Sequence, residues 1–170
     1  MRNFFLLITA VSLSGCANIS TYPHVEIETI LPVPSSTQEP VPTIMAKVLV
    51  YAHEHYGGMD EIVFNLPKGV GGETYSIVAN TLGDAVPMDS VEQVAYHITE
   101  LRVRGFSAEA DVTFPSPSGG YEEATIRLES APFSDWSVTR ERVWLIPSKT
   151  APTPNYRAME TDQSDEVIAP

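Results

Sequence analysis

The sequence predicts an α+β fold, in which one long helix packs on a curved four-stranded antiparallel meander and one further short helix stands beside it. Three observations predict it. Residues 43–56 carry an apolar stripe at helical spacing, and four stretches of the second half alternate apolar with polar residues between turn signals. The length suits one core, which a single cysteine cannot staple internally.

In chain order, Met1-Arg2-Asn3 gives a short cationic start, followed by an apolar run from Phe4 to Val11. That run is too short to span a bilayer and reads as an export signal. It leads into Leu13-Ser14-Gly15-Cys16, which resembles the lipobox of bacterial lipoproteins. The resemblance implies that residues 1–15 are cleaved as a signal peptide and that the Cys16 thiol carries a diacylglyceryl group of the palmitate type. Leu13 takes the branched aliphatic position and Ser14 and Gly15 the small ones. A lone thiol outside the cytoplasm needs a reason, and acylation supplies one. Ala17 stands where an aspartate would retain such a protein in the inner membrane, so the resemblance implies an outer-membrane destination.

Residues 16–42 include five prolines and read as a semi-rigid, lipidated tether that lifts the domain off the membrane. The alternation at residues 24–30 is demoted to edge strand or linker by its flanking prolines. Thr43 is the expected cap of a helix over 43–56, with Ile44, Val48 and Tyr51 on its stripe and Gly57-Gly58 ending it. Residues 61–66 read as a short strand and 67–72 as a glycine-rich loop. Residues 74–82 have helical spacing ahead of Gly83.

The meander follows over residues 95–104, 108–114, 123–129 and 136–146. Leu101 and Val103 face inward on its first strand, Ala108, Ala110, Val112 and Phe114 on the second, and Ala124, Ile126 and Leu128 on the third. A turn at Gly105-Phe106-Ser107-Ala108 would set Arg104 opposite Glu109 and Arg102 opposite Asp111. Pro147 is the expected end of the last strand, and residues 148–170 read as a disordered acidic tail. The helix, the charged hairpin and the last strand opened by Trp136-Ser137-Val138-Thr139 together resemble the cystatin-like and NTF2-like rolls, over residues 43–147.

Charge narrows the partners. The formal charge of −12 becomes −13 when cleavage removes Arg2, so nucleic acid phosphates and anionic lipid headgroups are both repelled, neither is expected as a partner, and solubility is favoured. His53-Glu54-His55 does not form a metal motif, because helical residues two apart point about 200° apart. Gly69, Gly71 and Gly72 beside Lys68 lack the phosphate-loop pattern and read as a turn. No serine lies in a nucleophile elbow. No metal, cofactor or catalytic residue is expected.

One constellation stands out on the last strand. By strict alternation Trp136, Val138, Arg140, Arg142, Trp144 and Ile146 share a face, and two arginines between two tryptophans could receive an anionic or carboxylate ligand. The competing reading stacks Arg140 and Arg142 on the tryptophans and pairs them with Glu122, Glu123 or Glu129 across the hairpin, after a bulge shifts the alternation. The expected function is a non-enzymatic envelope lipoprotein, membrane-bound through its lipid, whose domain is an interaction or structural module for an envelope protein. The alternatives are a small-ligand binding module on the concave sheet face around Trp136, Arg140, Arg142 and Trp144, and an enzyme of the NTF2-like kind.

Overall fold

The computed structural model describes residues 19–24, 35–57, 59–83, 85–117, 119–148, 150 and 152–156. Cys16, the signal segment, most of the alternation at 24–30 and residues 157–170 lie outside them. The elements run β1 (Ile19–Tyr22), α1 (Val41–Tyr56), β2 (Val63–Asn65), α2 (Gly72–Leu82), β3 (Val86–Pro87), β4 (Tyr96–Arg104), β5 (Ser107–Pro115), β6 (Tyr121–Glu129) and β7 (Ser137–Ser148).

α1 begins two residues before the expected cap. Pro40 holds the N-cap position without a side-chain bond, and Pro42 sits in the first turn, where its missing N–H costs nothing. Ile44, Met45, Val48, Leu49 and Ala52 are fully buried, so the stripe at i, i+4 and i+5 is the face laid on the sheet. α2 ends where expected, at Gly83 with φ +86°, whose N–H returns to the Ala79 carbonyl.

The sheet corrects the predicted roll. Instead of four strands curling round a helix, seven strands form one open mixed sheet in the order β3-β2-β4-β5-β6-β7, with β1 also paired to β4. β2 pairs in parallel with both β3 and β4, and α2 makes the crossover between β2 and β3. Two helices cover one face, and neither is enclosed. The cause is the three added strands of four, three and two residues, which widen the sheet beyond the meander. β1 comes from the segment read as tether.

Within the meander the inward residues of β4, β5 and β6 are those the alternation names, all buried. The hairpin register differs by two. Arg104 pairs with Ser107 and Arg102 with Glu109, because the loop is Gly105-Phe106 alone. Gly105 takes φ +57° at the first central position, which suits a two-residue hairpin. A shift of two keeps every side chain on its face. β7 continues through Pro147, as an edge strand allows, since an outward N–H there has no partner to lose.

Candidate interaction surface

The four singled-out residues of β7 do not share a face. Val138 pairs with Leu128 but Arg140 with Arg127, so one extra residue, Thr139, enters β7 as a bulge. Before it, Trp136 and Val138 lie half-buried against the core under α1. Beyond it, Arg140, Arg142 and Trp144 oppose Arg127, Thr125 and Glu123, on the face turned away from the helices. Strict alternation therefore fails at Thr139. The tryptophans are separated, and the constellation of two arginines between two tryptophans is not formed.

The bulge turns Glu141 inward, opposite Ile126. There it meets α1, whose Tyr51 and Tyr56 hydroxyls donate to the same Glu141 Oε2 at 2.9 and 2.5 Å. These bonds, Tyr56 first, hold the Glu141 carboxyl below the usual range. The Tyr56 ring stacks on Phe114 and Tyr51 on His55, so the contact fastens the edge strand to the helix. Nothing in the sequence distinguishes Glu141 from a solvated strand residue unless the bulge is known.

Trp136 and Val138 wall an open groove of about 550 Å³ whose floor is the α1 stripe of Ala46, Lys47, Val50 and Tyr51. Trp144 borders a different depression with Thr99, Asp111 and Glu123. Neither arginine lines either one.

The outer face is charged, and its ion pairs are unevenly shared. Arg102 reaches Glu100 at 2.9 Å and Asp111 at 2.8 Å, and Arg127 reaches Glu129 at 3.0 Å. Asp111 also accepts from Thr125, which in turn accepts from the Trp144 indole N–H at 3.2 Å. Arg142 lies 4.2 Å over the Trp144 ring. Among the described residues neither Arg140 nor Arg142 has a carboxylate within 4.0 Å, because their cross-strand neighbours are Arg127 and Thr125. Of the competing reading, the bulge and the stacking of Arg142 on Trp144 are formed, whereas the pairing of the two arginines with glutamates of β6 is not. Both lie on the strand whose outer edge no other described strand covers.

A second polar cluster escaped the sequence reading. Asn65, at the end of β2, is 1 % exposed. Its Oδ1 accepts from the Asn155 backbone N–H and the Tyr75 hydroxyl, and its Nδ2 donates to the Thr153 carbonyl. Backbone partners thus fix the amide's orientation. The same Nδ2 lies 3.1 Å from His97 Nδ1, which must accept, so the His97 proton sits on Nε2. That atom is buried without a partner, and burial pushes the His97 pKa down to about 4. Residues 153–156, read as tail, therefore dock on the sheet end, with Tyr156 against Tyr75.

The remaining sequence features stay apart from these clusters. His53 and His55 occupy the last turn of α1, where His53 faces Tyr96 and His55 bonds the Tyr51 carbonyl. Lys68 and the glycines border a shallow pocket with Pro154 and Asn155. Among the described residues no three His, Cys, Asp or Glu side chains could share a metal ion, and no helix is long and apolar enough to cross a membrane. Cys16 lies outside the described residues. Comparison of the chain with protein-family models, with curated proteins and with solved structures gives no match.

Proposed function

We propose that this chain is an envelope lipoprotein, anchored through lipid on Cys16, whose domain binds a protein partner along the β7 edge. The observation that carries the reading is that, among the described residues, Arg140 and Arg142 have no carboxylate partner and lie on an edge strand that no other described strand covers, in a chain of net charge −12. An edge strand offers a row of backbone donors and acceptors to an extended segment. The partner's chemistry follows from the side chains. An antiparallel second copy would set arginine against arginine, which is unfavourable, whereas a strand with acidic residues at alternate positions would complement both guanidiniums. Against a surface that is otherwise acidic, the strip selects orientation and register more than it adds raw affinity.

The reading is tested by photo-crosslinking groups placed at positions 140 and 142, with position 92 on the far loop as control. A partner cross-linked from β7 and not from 92, and lost on Arg140→Glu with Arg142→Glu, is the expected result. Equal labelling from all three positions, or none from β7, would refute it.

A further inference from the structure

The anchor and the fold together say which part of the domain meets the bilayer. β1 starts at Ile19, three residues after Cys16, and a chain of three residues reaches about 10 Å at most. Ile19 pairs with Arg104, the last residue of β4, so a lipid carried on Cys16 would be joined by three residues of chain to the end of the sheet where β4 stops. A tether of residues 16–42 cannot lift the domain away when its third residue beyond Cys16 is already in the sheet.

That end of the sheet has a distinct surface. The β4–β5 hairpin presents Phe106 at its tip, 60 % exposed, and Ile19 beside it is 62 % exposed. β6 ends and β7 begins at the same end, since Glu129 pairs with both Ser107 and Ser137. The loop between them carries Phe133, fully exposed with φ +68°, and is tied to the hairpin by the Ser130 N–H donating to the Phe106 carbonyl at 2.9 Å. Phe133 buries no apolar area within the domain, and Phe106 leaves more than half of its surface in water. A bilayer interface is a medium in which both rings would bury that area. Arg104, exposed beside them and without an ion pair among the described residues, suits lipid phosphate at this tip although the chain as a whole is acidic, while Glu129 pairs with Arg127 and Asp135 is exposed in the same loop as Phe133.

We infer that the sheet end bearing Ile19, Phe106 and Phe133 is a membrane-contact tip, seated in the headgroup region of the lipid surface that holds the Cys16 anchor. The inference rests on the anchor reading above. It places the strand axes across the membrane plane and stands the β7 edge up from the surface, open to partners from the side.

The test uses the full lipidated chain in vesicles of phosphatidylethanolamine and phosphatidylglycerol, with a spin label on Phe106→Cys, Phe133→Cys or, at the opposite end of β4, Val94→Cys. Flotation of the labelled chain with the vesicles checks the anchor first, and unchanged circular dichroism checks the fold. The expected result is that labels at 106 and 133 gain accessibility to dissolved oxygen and lose it to an aqueous nickel complex, so that the ratio of the two rises above that at position 94. Labels at 106 and 133 that stay as aqueous as 94 on a chain that floats would overturn the tip and leave the anchor standing. Labels shielded from both agents would mean that protein covers the tip, and would overturn it too. A chain that fails to float sinks the anchor and the tip together.

Discussion

At the scale of single residues, His97 carries a consequence that pH can read. Its Nδ1 accepts from Asn65 and its Nε2–H is buried without a partner, so the folded chain has no place for a second ring proton. Burial sets its pKa near 4 against 6.5 when exposed. Between those values the unfolded chain binds the proton and the folded chain does not, so stability is level above pH 6.5 and falls as the pH drops toward 4. By pH 5 the loss attributable to this group is about 2 kcal/mol. Urea unfolding of the native chain and of His97→Gln at pH 7.5 and 5 should show the native chain losing more by that amount. Parallel losses in the two would refute the assignment. Along the sequence, no ligand pattern stands beside His97. Its importance comes from Asn65 and Thr153, far apart along the chain, and no local pattern announces such a pairing.

At the scale of elements, what was legible divides by length. β4, β5 and β6 have nine residues each, enough for alternation to fix both strand and face, and α1 and α2 show their stripes and their terminal glycines. β1 and β3 have four and two residues, too few for any period, whereas β2 lies within the short strand read over residues 61–66, and its parallel pairing with β3 and β4 is created only by the folded chain. β7 is legible as a strand but not as a surface, because the bulge at Thr139, near its start, exchanges the faces for the residues beyond it. The segment at residues 152–156 was misread for a different reason. Its composition is that of a solvated tail, yet Thr153 and Asn155 supply the backbone groups that satisfy Asn65, and the Asn155 amide donates to the Leu66 carbonyl at 2.9 Å. Ending the chain after Pro152 would leave the buried Asn65 amide without those partners and strip Tyr156 from Tyr75. At about 1 kcal/mol for each bond lost, a destabilisation of roughly 2–4 kcal/mol is expected in urea unfolding. A truncated chain as stable as the full one would show that the segment only rests on the surface.

At the scale of the whole molecule, the open sheet gives two free regions that a closed roll would not, the β7 edge and the end where β1 starts. The first meander strand runs toward that end and the fourth away from it, so one set of turns gathers Phe106 and Phe133 on the side from which the chain leads back to Cys16. An anchor and a tip contribute very different energies. One acyl chain alone gives marginal membrane binding and two or three give stable binding, whereas a pair of exposed rings adds only shallow interfacial contact. Replacing Cys16 with Ser should therefore move the protein from the membrane pellet to the soluble fraction after cell breakage, even with the tip intact. Replacing Phe106 and Phe133 with Ser while keeping Cys16 should leave it in the pellet. Retention of the Cys16→Ser chain on membranes would mean that the lipid is not what holds the domain there, and the lipoprotein reading would fall with it.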